Sequence, residues 1–160
     1  MREHMVKLAI ADTPYFLYSD FELRRRGNTY TAQTLSLLRE EYREDTFYFI
    51  IGADSLYQIE QWFHPELVMK LAVLLVAGRA YHDDHQPFDR QIEYLTARYG
   101  AKIYPIRCRE MDVSSEEIRA SVSNGHSIHG FVPDAVEEYI KDHGLYGGCV
   151  KNPVLAGKGE

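Results

Sequence analysis

Three residues of types that are common in ligand-binding sites follow the end of a run of apolar residues. Residues 47–51 are apolar or aromatic without a break, and Gly52, Asp54 and Ser55 come soon after them. Such a run is typical of a strand buried on both faces of a parallel sheet. Open α/β sheets bind ligands outside the carboxyl ends of their strands, so these residues lie where such a fold places its site. An ordinary strand-to-helix turn, capped by Asp54 or Ser55, uses the same residues, and both interpretations stay open.

A second polar stretch has the residue types for anion binding. Ser114 and Glu117 have the spacing of a capping box, which predicts that a helix begins here. Free backbone N–H groups, the hydroxyls of Ser114 and Ser115, and Arg119 one turn further along would favour a phosphate. Glu116 and Glu117 would oppose it, so a well-capped helix without a ligand is the competing interpretation.

Two other polar runs are weaker candidates. Residues 82–85 read His-Asp-Asp-His, which are metal-ligand types, but their polar, acidic surroundings favour a solvated surface loop. Residues 24–26 are three arginines, and these favour a solvated face over a phosphate contact. The sequence analysis therefore assigns no metal site.

Composition narrows the class of protein. The chain has 160 residues, 45% of them apolar, which is enough for one domain with a substantial core. Its net charge of −6 disfavours a dedicated nucleic-acid binder or a binder of anionic membranes. Cys108 and Cys149 alone make neither a disulfide framework nor a zinc site, which favours a cytoplasmic location. No apolar run reaches transmembrane length.

The elements that would position these residues alternate along the chain. Apolar runs predict strands at residues 15–19, 47–51, 73–77 and 102–107. Periodicity and capping residues predict helices at 1–12, 32–43, 56–62, 65–71, 89–99, 115–124 and 133–143, with Thr31 as the cap of the second. In that second helix the apolar stripe is Leu35, Leu38 and Tyr42. This alternation predicts an α/β domain over residues 1–146 with a mostly parallel sheet and flanking helices, followed by a disordered tail at 147–160.

Three motifs resemble those of bacterial nicotinate-nucleotide adenylyltransferases. They are Y-T-x-x-T-L at residues 30–35, G-A-D-S-L at 52–56 with Trp62 after it, and S-S-x-x-I-R at 114–119. The first two are specific to this family, whereas the third is shared with other adenylyltransferases. The resemblance covers residues 2–146.

The resemblance implies a Rossmann-like nucleotidyltransferase fold and a reaction of NAD biosynthesis. The implied substrates are nicotinate mononucleotide and ATP with Mg²⁺, and the implied products are nicotinate adenine dinucleotide and pyrophosphate. The mononucleotide phosphate would attack the α-phosphorus of ATP in line, while the protein positions the reactants and neutralises charge. Whether the chain forms a homo-oligomer is left open.

The resemblance also implies a role for each matched residue. Tyr30 and Thr31 would line the nicotinate pocket, with Thr31 near the ring carboxylate, and Trp62 would stack on the pyridine ring. Gly52 and Asp54 would lie beside the nucleotides, where Asp54 could accept ribose hydroxyl groups. The residues implied at the ATP phosphates are Ser114, Ser115 and Arg119. Plain core packing of Trp62 and a helix-capping role for Tyr30 and Thr31 are the alternatives.

One family element is absent from the sequence. The family opens with a strand and G-G-[ST]-F-D-P-x-H-x-G-H, whose two histidines stabilise charge on the phosphates. None of the seven histidines here stands in that motif, so no catalytic residue is assigned. We expect the missing strand or strands upstream of Met1, which makes the chain an N-terminally truncated fragment with an exposed apolar sheet edge and impaired transfer. Glu116, where the family commonly has Thr, is a smaller departure.

Two further functions stay open on the sequence. A non-catalytic nucleotide-binding or interaction domain could keep the fold without the histidine motif. A different adenylyltransferase, such as the pantetheine-phosphate type, is the other alternative, although Trp62 and the Tyr30-Thr31 pair speak against it.

Overall fold

The computed structural model describes residues 1–77, 88–107 and 113–147, which divide into two compact units. Asp20–Glu110 forms the sheet unit, and Met1–Ser19 with Met111–Glu160 forms the helical unit. The predicted loop at 82–85 and the predicted tail beyond residue 147 lie outside the described residues. Within the described ranges, no helix has the length and apolar character needed to cross a bilayer.

Helices and strands alternate as the apolar runs predict. The helices are α1 Arg2–Ile10, α2 Thr31–Glu41, α3 Ala53–Gln58, α4 Pro65–Leu71, α5 Phe88–Tyr99, α6 Ser115–Ser123 and α7 Asp134–Asp142. The strands are β1 Phe47–Gly52, β2 Ala72–Ala77 and β3 Ile103–Ile106, and short 3₁₀ turns occupy Ile59–Gln61 and Leu145–Gly147.

The sheet unit contains one parallel sheet in the order β1-β2-β3. Phe47 lies opposite Ala72, and Leu74 lies opposite Ile103. Helices α3 and α4 connect β1 to β2, and α5 lies between β2 and β3. The predicted parallel α/β arrangement is confirmed, and it places the carboxyl ends of all three strands at one edge of the sheet.

One face of the sheet carries the core of this unit. Successive strand residues point to opposite faces, and Leu74 and Val76 on the packed face are fully buried. The helical side chains that are 2% exposed or less in the same core are Leu56, Ile59, Val68, Met69 and Leu95. Full burial of such a side chain contributes about 1.5–3 kcal/mol each, so this interface holds the carboxyl end of β1 in place.

The prediction that β1 is buried on both faces is wrong. Ile51 is 6% exposed, but Tyr48 and Ile50 are 62% and 64% exposed. Among the described residues of the sheet unit, the helices pack on the face that carries Ile51, and the alternate side chains of the strand meet solvent. An uninterrupted apolar run cannot show which face is covered.

Two other sequence predictions need correction. Residues 15–19 form no strand, and Tyr15 and Leu17 are 80% and 90% exposed. Aromatic residues favour strands only where a neighbouring strand pairs with them, and the three described strands do not pair with this segment. Tyr42, predicted in the apolar stripe of α2, is 46% exposed, whereas Leu35 is buried as predicted.

The helical unit packs α6 and α7 around a small core. Val122, Ile128, Val136 and Ile140 are each 7% exposed or less. Met5 and Leu8 of α1 pack against this core. The core fixes the start of α6, where Ser114 and Ser115 lie.

Candidate functional site

Gly52 leaves open space at the carboxyl end of β1. It is the N-cap of α3 with φ −78° and ψ 161°, a conformation that any residue adopts. A Cβ built at this position meets no atom of the described residues within 4 Å, its two chain neighbours aside. Neither strain nor packing within the protein therefore requires a glycine, and the backbone is open to a ligand at this point.

Asp54 is exposed and takes no part in capping. We expected Asp54 or Ser55 to cap the following helix, but α3 begins at Ala53 and has no side-chain cap. Asp54 lies in the first turn, where its negative charge complements the helix dipole. No other described residue bonds to its carboxylate, which is therefore available to accept hydrogen bonds from a ligand.

Tyr30 stacks on an aromatic residue that sequence analysis missed. The rings of Tyr30 and Phe63 are 4.4 Å apart between centroids and 30° apart in plane. Tyr30 is 38% exposed and Phe63 is 43% exposed, so the pair keeps aromatic surface open to solvent. The signal in the sequence that could have identified Phe63 is its position as an aromatic residue directly after Trp62.

Thr31 is the first residue of α2 and does not cap it. The N-cap is Tyr30, whose side chain makes no capping hydrogen bond, so the capping prediction for Thr31 is wrong. The N–H groups of Gln33 and Thr34 are bonded to the Tyr30 carbonyl. The N–H groups of Thr31 and Ala32 precede the first backbone bonds of the helix and are left for a ligand or water.

Trp62 combines core packing with partial exposure. It is the C-cap of the 3₁₀ turn Ile59–Gln61, packs against the core of the sheet unit, and meets Phe49 edge-on at 6.2 Å. Its neighbour Phe63 brings this segment next to Tyr30. The structure thus brings Tyr30 and the Trp62–Phe63 segment together, and the stacking role of Trp62 stays a prediction.

The residue after Phe63 has a strained backbone conformation and contacts the Phe63 ring. His64 has φ 49° and ψ 60°, a left-handed conformation that costs a non-glycine residue about 1–3 kcal/mol. Pro65 follows, and a residue before proline avoids the right-handed helical region. The His64 ring lies edge-on to Phe63 at 4.2 Å and its Nδ1 is 2.9 Å from Glu66 Oε1, a contact that lowers the pKa of Glu66.

A hydrogen-bonded cluster fixes the 3₁₀ turn that precedes Trp62. Tyr99 and Tyr94 of α5 donate their hydroxyls to Glu60 Oε1 at 2.7 Å and 3.2 Å, and Arg98 Nε is 3.7 Å from the same oxygen. The hydrogen bond to Glu60 raises the pKa of Tyr99. Helix α5 therefore restrains the turn from which Trp62 projects.

The capping box at the start of α6 is confirmed. Ser114 Oγ accepts the Glu117 N–H at 3.1 Å, and Glu117 Oε2 accepts the Ser114 N–H at 2.7 Å. The hydrogen bond from Ser114 lowers the pKa of Glu117, which keeps this carboxylate negative at the helix terminus. A phosphate here would use the remaining N–H groups, the two serine hydroxyls and Arg119, which bonds to no other described residue.

The predicted site residues divide between the two units. Tyr30, Thr31, Gly52, Asp54 and Trp62 belong to the sheet unit, and the others belong to the helical unit. Those others are Ser114, Ser115 and Arg119. The first set offers aromatic faces and a carboxylate, and the second offers two serine hydroxyls and a cation. Groups of these kinds bind and position substrates in a phosphoryl transfer that uses no enzyme nucleophile.

Sequence comparison identifies the family. A probable nicotinate-nucleotide adenylyltransferase of Lachnoclostridium phytofermentans is 48% identical over 145 residues, which cover 91% of this chain and 72% of that protein. One of Caldicellulosiruptor bescii is 39% identical over 145 residues, with the same two coverages. The chain belongs to the nicotinate-nucleotide adenylyltransferase family. A scan against protein-family models gave no match.

Two solved structures of a nicotinic acid mononucleotide adenylyltransferase confirm the fold. A Plasmodium falciparum nicotinic acid mononucleotide adenylyltransferase complexed with NaAD aligns with a TM-score of 0.69 and 19% identity, covering 92% of this chain and 74% of that one. The P. falciparum enzyme complexed with APC aligns with a TM-score of 0.66 and 20% identity. The predicted Rossmann-like nucleotidyltransferase fold is therefore confirmed, and the family is one of nucleotidyltransferase enzymes.

Proposed function

We propose that the chain joins nicotinate mononucleotide to the AMP part of ATP, a reaction of NAD biosynthesis. The observation that carries this proposal is the 48% identity to the L. phytofermentans relative over 91% of the chain. The two structures of the P. falciparum enzyme, complexed with NaAD and with APC, support the proposal that this fold binds nucleotides. The geometry of the candidate residues supplies the recognition chemistry.

The reaction needs positioning more than covalent catalysis. A phosphate oxygen of nicotinate mononucleotide forms a bond to the α-phosphorus of ATP, and the bond from that phosphorus to the oxygen bridging to the β-phosphorus breaks. Pyrophosphate leaves with the bridging oxygen and the electron pair. Because no enzyme atom is bonded in between, the side chains act by holding the two phosphates in line and by stabilising negative charge.

The pyridine end is assigned to α2 and the segment around Trp62. Tyr30 and Phe63 present aromatic surface, and an aromatic pair with the substrate ring is worth about 0.5–1.5 kcal/mol. The uncapped start of α2 leaves the Thr31 N–H free, and a helix N-terminus favours a carboxylate. These N–H donors would bond a nicotinate carboxylate and disfavour the amide, whose own N–H₂ group would face them.

In the sheet unit the nucleotide is assigned to Gly52 and Asp54, and in the helical unit the ATP phosphates are assigned separately to the start of α6. Open space at Gly52 admits a ligand against the backbone, and Asp54 accepts ribose hydroxyls beside it. Ser114, Ser115 and Arg119 bind the ATP phosphates. ATP enters as its Mg²⁺ complex, and Mg²⁺ in such sites is held mainly by substrate phosphates and water.

We propose that these 160 residues, which do not include a G-G-[ST]-F-D-P-x-H-x-G-H element, transfer adenylyl slowly. Loss of one preorganised donor to a developing oxyanion typically costs about 10²–10³ in rate. Binding of the nucleotides is a separate property and rests on the residues assigned above. A non-catalytic nucleotide-binding role is the second candidate, and it predicts nucleotide binding without turnover.

The test separates binding from turnover. Calorimetric titration of the chain with nicotinate adenine dinucleotide should give saturable binding, and nicotinate mononucleotide with MgATP should yield the dinucleotide by chromatography. Slow turnover relative to the L. phytofermentans protein supports the proposal, whereas binding without turnover supports the non-catalytic alternative. Equal binding of nicotinate mononucleotide and phosphopantetheine would contradict the substrate assignment.

Gly52→Ala tests the site assignment itself. Since a Cβ here meets no protein atom and φ is ordinary, unfolding free energy should change by less than about 1 kcal/mol. Dinucleotide binding should weaken at least tenfold, because the methyl group fills space assigned to the ligand. If Gly52→Ala bound the dinucleotide with unchanged affinity, this turn would not belong to the site.

A further inference from the structure

A cluster of metal-ligand side chains lies in the helical unit and includes none of the residues assigned to the nucleotides. One potential ligand atom each from His129, Asp134 and Glu137 lies within 4.8 Å of the other two. His129 Nδ1 and Asp134 Oδ1 are 2.8 Å apart. The three residues line an open cavity of about 430 Å³ together with Ser127, Glu138 and Lys141.

Glu137 is held in place by three donors on one oxygen. Oε1 accepts the Ser127 hydroxyl at 2.8 Å, the buried Ile128 N–H at 3.1 Å and the Lys141 ammonium at 2.7 Å. Oε2 bonds to no described residue and keeps its lone pairs. Metal-binding carboxylates are commonly fixed by hydrogen bonds of this kind from surrounding groups, so Glu137 is oriented before any ion arrives.

The donor set selects a class of ion. An imidazole nitrogen with two carboxylate oxygens suits first-row divalent ions such as Zn²⁺, whereas Mg²⁺ and Ca²⁺ prefer oxygen ligands alone. Metal–ligand bonds of about 2.0–2.2 Å in a tetrahedron place ligand atoms roughly 3.4 Å apart. His129 and Asp134 would separate slightly from their 2.8 Å contact, which their side-chain exposures of 75% and 82% allow.

The charge of the cavity favours a cation. Three carboxylates, Asp134, Glu137 and Glu138, face one ammonium group, Lys141. The plain alternative is that Lys141 already neutralises Glu137 and that His129 with Asp134 is an ordinary surface pair. Lys141 is bonded to Oε1 rather than Oε2, and its side chain is 48% exposed, so it can stay or swing away when an ion binds.

We propose that His129, Asp134 and Glu137 bind one divalent ion of the zinc class. The fourth position would be open to water from the cavity. Such an ion would tie the loop that carries His129 to the first turn of α7, and it would stabilise the helical unit without a part in adenylyl transfer.

The test uses the full chain, freed of metal with a chelator, and Co²⁺ as a spectroscopic probe. We expect one Co²⁺ to give the visible absorption of a tetrahedral nitrogen–oxygen site, and Zn²⁺ to displace it. His129→Ala and Asp134→Asn should each weaken Zn²⁺ affinity at least tenfold. His126→Ala removes an exposed histidine that is not in the cluster and should leave the affinity unchanged.

Two results would overturn the proposal. One is a lack of Zn²⁺ binding by the wild-type chain at millimolar metal. The other is equal Zn²⁺ affinity and equal Co²⁺ spectra in the wild-type, His129→Ala and Asp134→Asn chains, which would place the metal at other ligands. Circular dichroism establishes whether each variant folds. If His129→Ala does not fold, Asp134→Asn still tests the proposal, because this side chain is exposed and the substitution is nearly isosteric.

Discussion

Replacement of Glu137 by Gln should destabilise the helical unit in a pH-dependent way. Glu137 is 6% exposed and receives hydrogen bonds from Ser127, Ile128 and Lys141. Gln keeps an oxygen of nearly the same shape that Ser127 and Ile128 can still reach. The substitution therefore removes the charge and its pairing with Lys141 while it leaves the packing unchanged.

The magnitude follows from the pKa of Glu137. Lys141 first, then Ser127 and the Ile128 N–H, lower this pKa from 4.5 to about 2. Full linkage of that shift would be roughly 3 kcal/mol. Lys141 is about half exposed and screened by salt, so we expect about 1–2 kcal/mol, or a melting temperature lower by roughly 3–6 °C for a chain of this size.

The pH dependence has a definite sign. A carboxyl whose pKa is lower in the folded state stabilises the protein above its unfolded pKa, and the contribution is lost as pH falls from 4.5 towards 2. Urea unfolding of wild-type and Glu137→Gln proteins in chelator should therefore differ at pH 7, and the difference should shrink as pH falls from 4.5 towards 2. Glu138→Gln, an exposed neighbour on the same helix, serves as control. A pH-independent difference, or an equal effect in Glu138→Gln, would refute the reasoning.

Two further stability predictions concern the core and the start of α6. Leu74→Ala removes a fully buried side chain from the sheet and should cost about 3–5 kcal/mol in urea unfolding. Tyr104→Ala, at a 56% exposed position on the other face, should cost far less, and similar losses in both would contradict the one-sided core. Ser114→Ala removes the side-chain acceptor of the capping box and should cost about 1 kcal/mol in thermal unfolding. No loss would mean that the box does not stabilise α6.

The sequence predicted the features that depend on local residue patterns. The three described strands and their parallel direction follow from apolar runs separated by helices, and the capping box follows from the spacing of Ser114 and Glu117. The exposure of Tyr48 could not be predicted, because it depends on which face of the sheet the helices cover. Residues 15–19 failed as a strand for a related reason, since a strand needs a partner that its own sequence does not specify.

Family motifs in the sequence identify the residues of the candidate site, but they do not show which residues contact one another in the fold. Tyr30, Gly52 and Trp62 were found because family motifs contain them. Phe63 was missed because its ring partner, Tyr30, lies far away in sequence and comes close only through the fold.

The cluster of metal-ligand side chains was missed for a similar reason. His129 precedes α7, and a turn in the backbone brings it to Asp134 and Glu137. Asp134 and Glu137 have the i,i+3 spacing of a helix face, but no regular spacing connects His129 to them, so no periodic pattern in the sequence marks all three.

The most direct test of the proposed function is substrate discrimination in adenylyl transfer. With MgATP in excess, the chain is offered nicotinate mononucleotide, nicotinamide mononucleotide and phosphopantetheine separately, and pyrophosphate release is measured beside the L. phytofermentans protein. We predict release above background only with the pyridine mononucleotides, a preference for the acid over the amide, and a rate below that of the relative. Release with phosphopantetheine equal to that with nicotinate mononucleotide would contradict the account.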